Sequence, residues 1–462
     1  MLRLAWAALA ILLPTVGWAA EKARRQASGP NILLITIDTL RADHLSCYGY
    51  SRLTSPHIDR LAQQGVRFRS AYSPIPLTGP AHSSLLTSVY PQQHGATING
   101  MKISAKPRPV TLAQLLHRNG YRTAAFVSAW PLKKGIAGLG RGFDVYNDKF
   151  TYHYKLVNSA RRADEVTAAA LAWLQKPRKR PFFLWVHFFD PHSPYEVHSG
   201  FTDLASNPDA FGETRRAGQS DPEVAQRVFA YDSEIAFTDH QVGKLVHALE
   251  ALHLREKTLL VLTADHGENL GENGYVGHGD RIDQPIVHIP LIFSFPGVIP
   301  AGKVPKVDAS LVDVMPTLLE YAGIPVQIPI EGRSLKSPID SGPAEPGMRH
   351  AYFLTYSEPP LLPPNWVSWL WTWAKTKMVP SRLGFAKGQL KFVLEGDERQ
   401  PHVFHLDATA RVETPREEPE LKITAYQTRL TEWLDRTNKG LPAQGGLSQE
   451  DIEMLRSLGY IN

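Results

Sequence analysis

Only one cysteine, Cys47, occurs in 462 residues, so no internal disulfide can form and dithiol redox chemistry is excluded. Excess charge of one sign is also scarce. The formal net charge of +5 is small for this length, so there is no nucleic-acid-binding signature. Beyond residue 20 no stretch is long and apolar enough to span a bilayer, which leaves no transmembrane span after removal of a leader. Hydrophobic residues at 43% and charged residues at 21% exclude wholesale disorder. The length exceeds what one small core can serve and predicts a large α/β domain with a smaller appendage.

What is present begins with residues 1–20. Met1-Leu2-Arg3 is a positive start, Leu4 to Leu13 an apolar run, and Gly17-Trp18-Ala19-Ala20 a small-residue exit. That layout predicts a secretory signal peptide cleaved near Ala19 or Ala20; an uncleaved anchor is the alternative, although the run is short of the ~20 residues a span needs. No cysteine near the exit can carry a lipid. An exported chain without disulfides is expected in a bacterial periplasm or secreted from the cell.

Three segments, Asn31 to Ile37, Phe182 to Phe189 and Thr258 to Thr263, are continuous apolar runs rich in β-branched and aromatic residues. Such runs predict parallel strands buried on both faces. Each ends in polar residues: Asp38-Thr39, Asp190-Pro191-His192 and Asp265-His266-Gly267. In open α/β sheets ligands bind beyond the carboxyl ends of the strands, so three strands deliver Asp and His to one edge. Helices are expected at His57 to Gln64, at Leu112 to Arg118 behind a Thr111 cap, at Ala163 to Leu174 and at Glu223 to Leu252. The fold class is thus α/β, a mostly parallel sheet flanked by helices over residues 29–340. A Pro-, Gly- and Ser-rich boundary at Pro338 to Pro346 precedes a smaller α+β subdomain, 347–462. There, short strands are expected at Ala351 to Tyr356, Leu390 to Leu394 and Val403 to Leu406, with a helix near Leu421 to Leu434. Trp366, Trp369, Trp371 and Trp373 crowd one stretch of it, read as core packing or as contact with lipid or an amphipathic substrate.

Asp38, Asp265 and His266 offer carboxylate and imidazole to a divalent metal; alternatively Asp38 caps a helix and Asp265-His266 is a polar turn. Thr78, in Pro76-Leu77-Thr78-Gly79-Pro80, opens a helix from a Pro/Gly loop. Free N–H groups there favour an anionic substrate, and a base or metal would make the hydroxyl a nucleophile; a simple N-cap is the local alternative. Glu268 and Glu272 are expected on a loop at the site's mouth.

In order along the chain stand Asn31 to Asp38, Tyr48-Gly49-Tyr50, Ser55 to Ala62, Leu85-Leu86-Thr87 and Tyr90 to Gly95. They are followed by Asp190 to Tyr195, Tyr231-Asp232 through Asp239, Asp265 to Glu268, Pro290-Leu291-Ile292 and Pro296-Gly297. Over roughly residues 30–325 this series is similar to the sulfatase family. The resemblance implies the alkaline-phosphatase-type sheet, hydrolysis of a sulfate or phosphate ester, and a metal held by Asp38, Thr78, Asp265 and His266. Thr-x-Pro-x-His also resembles the nucleophile motif of nucleotide pyrophosphatase/phosphodiesterases.

The departures are specific. Sulfatases carry Cys or Ser, oxidised to formylglycine, where this chain has Thr78; the motif's Arg is His82, and the second Asp of the usual pair is Thr39. The Gly-Lys-x-His element is absent from Phe126 to Leu132, and the later Lys is His278. Cations that grip sulfate are lost and histidines gained. One reading adds a second metal on Asp190, His192 and His278, with His187 beside it; the other keeps one metal, with His192 and His278 bonding the substrate anion or leaving group. Catalytic candidates are therefore Thr78, His82, His192 and His278, and substrate-binding candidates His187 and Thr39. The cofactor is one or two divalent ions (Zn²⁺, Mn²⁺, Mg²⁺ or Ca²⁺), and the partner a small-molecule or envelope-derived anionic ester. A phosphate mono- or diester is the expected substrate. The competing functions are sulfate ester hydrolysis without formylglycine, an envelope phospho-group transferase, and a non-catalytic anion-binding protein.

Overall fold

The computed structural model describes residues 29–104, 108–150, 160–201, 221–271, 274–341, 349–356, 380–396 and 398–438. The predicted leader, Glu272 and the four tryptophans at 366–373 lie outside the described residues.

Seven strands form the central sheet, in the order Val66–Arg67, Leu291–Ser294, Thr258–Ala264, Asn31–Ile37, Phe182–Phe188, Arg122–Phe126 and Val145–Asn147. Asn31–Ile37 sits at the centre, parallel to both neighbours, and Leu291–Ser294 runs antiparallel. The expected mostly parallel sheet is present, and the reason is local. Ile32 to Ile35, Phe183 to Val186 and Leu259 to Leu262 are all excluded from solvent, so each strand needs cover on both faces. The predicted strands at Phe182 and Thr258 end one residue earlier and one later, at Phe188 and Ala264.

The helices fall at Pro56–Gln63, Leu112–Arg118, Ala163–Leu174 and Pro222–Ala251. Thr111 caps the second of these, its hydroxyl accepting from Gln114 N while Gln114 Oε1 accepts from Thr111 N. Asp239, midway along the longest helix, accepts from the His57 and Ile58 N–H groups at 3.0 and 2.8 Å and so ties two helices together.

A second, five-stranded antiparallel sheet runs Ala351–Thr355, Arg382–Lys387, Leu390–Glu395, Gln400–Leu406 and Glu413–Pro415, followed by the Glu420–Asn438 helix. One part of it joins the main core, where Leu354, Phe385, Phe392, Leu430 and Trp433 share a cluster with Ile35 and Leu85, while Ala351, Phe353, Ala386, Val393 and Leu406 form a second cluster with Tyr72, Ile282 and Val287. Thr355 Oγ1 also donates to the Gly279 carbonyl, beside His278.

Candidate metal and nucleophile site

Strand register builds the site. Ile37 pairs with Phe188 on one side and Ala264 on the other, so Asp38 and Asp265, each one residue further, emerge at the same level. Thr36 pairs with His187, which places that imidazole one layer below on the same side. Asp38, Asp265 and His266 are all fully buried, and their candidate ligand atoms lie within 4.8 Å of one another.

Four atoms in this cavity have no hydrogen-bond partner: Asp38 Oδ1, Asp265 Oδ2, His187 Nε2 and His266 Nε2. His266 Nδ1 is 3.0 Å from the Gly267 carbonyl, which can only accept, so the proton sits on Nδ1 and Nε2 presents its lone pair. That lone pair lies 3.5 Å from Asp265 Oδ2 and 3.8 Å from Asp38 Oδ1. Such spacings match ligands sharing one ion at about 2.1 Å, which sit roughly 3.4 Å apart in a tetrahedron. Burial first, then the charges of Asp265 and Glu268, push the Asp38 carboxyl well above its usual range. Burial likewise lowers His266 to about 4 and His187 well below the ordinary imidazole value, with neighbouring histidines adding to the latter. Neutral imidazoles, crowded carboxylates and bare acceptors gathered in one buried cavity are what a divalent cation satisfies. The residues therefore fit the metal that the resemblance implies.

Thr78 is the first residue of the Thr78–Thr87 helix, and Leu77 is the N-cap. Its hydroxyl donates toward Asp38 Oδ2 at 3.5 Å, so the side chain is not spent on capping. Thr39 adopts a left-handed backbone, φ 53°, uncommon for a β-branched residue. Its N–H donates to Asp265 Oδ1 at 3.3 Å, its carbonyl accepts from Tyr231, and its buried Oγ1 has no partner.

His82 is placed differently from its expected role. Nδ1 donates to the Thr78 carbonyl at 2.8 Å, and Nε2 lies 2.9 Å from Thr36 Oγ1, which itself accepts from Trp185 Nε1. Both ring nitrogens have scaffold partners, with Nδ1 also 3.7 Å from Asp265 Oδ2, so His82 braces the turn carrying Thr78.

The expected trio Asp190, His192 and His278 is not brought together as a second ligand set. His187 lies within the strand beside Thr36, whereas Asp190 lies in the turn beyond the strand's end at Phe188. Asp190 Oδ2 accepts from Ala163 N at 2.7 Å, where the N-terminus of the Ala163–Leu174 helix favours the charge, and its ligand-capable neighbours are His198 and Glu234. His192 and His278 do face each other, ring centroids 5.1 Å apart, and His278 lies 4.4 Å from the His266 ring. Glu268 is buried beneath them instead of lying at the mouth. Its Oε1 accepts from His278 Nδ1 at 2.9 Å and its Oε2 from the Tyr195 hydroxyl. Burial would raise this carboxyl, but the His278 and Tyr195 hydrogen bonds and nearby histidines bring it to about 2. Sequence spacing carries no signal for the Glu268–His278 contact between two loop residues or for the Ser128–His187 contact between a loop and a strand.

The sulfatase family model matches residues 30–324. The chain belongs to the sulfatase family. Relatives include N-acetylglucosamine-6-O-sulfatase of Bacteroides thetaiotaomicron, 24% identical and aligned over 76% of this chain and 79% of that protein. Steryl-sulfatase of Rattus norvegicus is 28% identical, over 71% and 73% of the two chains. Among solved structures, a phosphonate monoester hydrolase of Agrobacterium radiobacter superposes with a TM-score of 0.68 at 21% identity, covering 88% of this chain and 95% of that one; this likeness shows the fold. As a sulfatase-family member the protein is a metal-dependent hydrolase of sulfuric or phosphoric esters, with acidic and histidine clusters able to hold the ion. Among the described residues no helix is long and apolar enough to cross a membrane.

Proposed function

We propose that this sulfatase-family chain hydrolyses a phosphate mono- or diester with Thr78 as the nucleophile. The observation that carries the reading is the Thr78 hydroxyl, fully buried at the start of a helix and aimed at Asp38 Oδ2 inside the cluster of bare carboxylate and imidazole atoms. A threonine cannot yield the formylglycine on which sulfate chemistry in this family relies, and the loss of Arg and Lys at the positions of His82 and His278 removes fixed cations that grip sulfate. Asp38, Asp265 and His266 would hold the metal. When bound, it acts as a Lewis acid that lowers the Thr78 pKa and offsets charge on the ester.

The remaining work falls to the chain's own groups. Thr78 Oγ1 attacks phosphorus as its proton leaves toward Asp38 Oδ2, the P–O bond to the leaving group breaks, and a Thr78 phosphoester forms. Water then cleaves that ester in the reverse sense. His192 and His278, packed together beside His266, are placed to serve the leaving oxygen, and Glu268 keeps His278 oriented. Thr39 Oγ1, buried and unpartnered, is available to the substrate anion.

A panel of aryl phosphate, phosphodiester, phosphonate and sulfate esters tests the substrate. Turnover of phosphorus esters well above sulfate is expected, and a clear preference for sulfate would overturn the reading. The relatives' sulfatase names support that second possibility. Export through the residue 1–20 leader belongs to the same proposal, with N-terminal sequencing of the mature protein as its check.

A further inference from the structure

We infer that Ser128 locks His187 in a single tautomer and so makes it a ligand of the same metal ion as Asp38, Asp265 and His266. The inference rests on the metal-dependent reading of the site and adds an imidazole to it. Ser128 Oγ lies 2.7 Å from the His187 carbonyl oxygen and 3.0 Å from His187 Nδ1. A carbonyl only accepts, so the hydroxyl proton goes there and the Ser128 oxygen is left to accept. Nδ1 must therefore carry the ring proton, and Nε2 presents a lone pair.

That Nε2 is buried, has no hydrogen-bond partner, and faces Asp38 Oδ2 at 3.7 Å. Two acceptors face each other across a dry gap, an arrangement that costs free energy unless a cation lies between them. His266 repeats the pattern: Nδ1 is given to a backbone carbonyl and Nε2 is turned bare toward Asp265 Oδ2 and the other oxygen of Asp38. His82, 4.9 Å from the His187 ring, provides the contrast, since the Thr78 carbonyl and Thr36 hydroxyl occupy both its nitrogens. An imidazolium at His187 would also pair with Asp38, but full burial and the nearby histidines oppose that charge.

The ligand set becomes two carboxylates and two neutral imidazoles, whose charge balances a divalent ion. Mixed N/O donors of this kind suit Zn²⁺ or Mn²⁺ better than Mg²⁺ or Ca²⁺. The position that Thr39 vacates as a carboxylate ligand is thus made good from the neighbouring strand. Ser128 itself falls in the Phe126 to Leu132 stretch, where the Gly-Lys-x-His element is missing.

The test uses the full chain, stripped by chelation and reloaded with Zn²⁺. X-ray absorption should count two imidazoles per bound zinc in the wild type and one in His187→Ala. Ser128→Ala, which frees the ring to turn, should weaken zinc binding about 10- to 100-fold, with Ser128→Thr recovering most of it. Circular dichroism and Tm confirm that each variant is folded. One imidazole per zinc in the wild type, or unchanged affinity in both His187→Ala and Ser128→Ala, overturns this inference and leaves the metal-dependent reading standing. A wild type that binds no divalent ion overturns both.

Discussion

Thr78 Oγ1 lies 3.5 Å from Asp38 Oδ2, with both side chains shut away from solvent at the carboxyl edge of the sheet. The hydroxyl is not spent on capping the helix, whose Gly79 N–H donates instead to Asn99 Oδ1 at 2.8 Å. Thr78→Ala should therefore lower kcat by about 10³-fold or more while moving Tm little, whereas Thr78→Ser should keep substantial turnover. Quenched-flow trapping of a phosphorylated Thr78 is the direct check. An active Thr78→Ala enzyme would end the nucleophile assignment.

Metal removal should be felt in stability as well as rate, because Asp38 and Asp265 are left facing each other when the cation goes. Chelation is expected to abolish turnover and lower Tm, and added Zn²⁺ or Mn²⁺ to restore both. At a concentration one hundred times Kd the ion contributes about 2.7 kcal/mol. A Tm indifferent to chelator, measured by differential scanning fluorimetry, would count against a built metal site.

His82→Ala should behave as a stability mutant. It removes the side-chain donor to the Thr78 carbonyl, deletes a partner of Thr36 and opens a void against Trp185, at a cost of about 2–4 kcal/mol. Urea denaturation reads that loss directly. If stability is unchanged and only KM rises, His82 grips the substrate and the scaffold role is refuted.

His94 predicts an acid-side loss of stability. Ala96 N donates to its Nδ1 at 3.1 Å, so Nε2 carries the proton and lies 3.0 Å from Ser84 Oγ. Burial holds this imidazole at about 3, below the unfolded value near 6.5. A depressed folded pKa means that the unfolded chain binds the proton first. Its stability contribution is therefore full above pH 6.5 and falls by about 1.4 kcal/mol per pH unit between 6.5 and 3. His94→Gln should flatten that slope by one proton in denaturation curves taken at pH 7, 6 and 5; an unaltered slope would show that His94 does not titrate on unfolding.

Much of the frame was legible in the chain. Asn31–Ile37, Phe182–Phe188 and Thr258–Ala264 announce themselves because a strand covered on both faces reads as a near-continuous apolar run. Thr111 and Gln114 spell out their capping box. Asp38 and Asp265 were legible as candidate ligands because each directly follows a buried strand. The Arg382–Lys387 strand, by contrast, went unread, since its pairing with Ala351–Thr355 and Leu390–Glu395 lends it a stability that its own residues do not signal.

Sequence by itself therefore determined the layered α/β fold, the edge of the sheet where chemistry occurs, and a threonine where formylglycine would form. Only the tertiary structure decided among the histidines. His187, His82 and Asp190 read alike as polar residues near strand or helix ends, yet one faces Asp38, one is held by Thr36 and the Thr78 carbonyl, and one accepts from the N-terminus of the Ala163–Leu174 helix. The physical reason is that a ligand needs a bare lone pair at a shared centre. Whether a nitrogen stays bare depends on partners such as Ser128, 59 positions away in the chain, that only folding brings within hydrogen-bond reach.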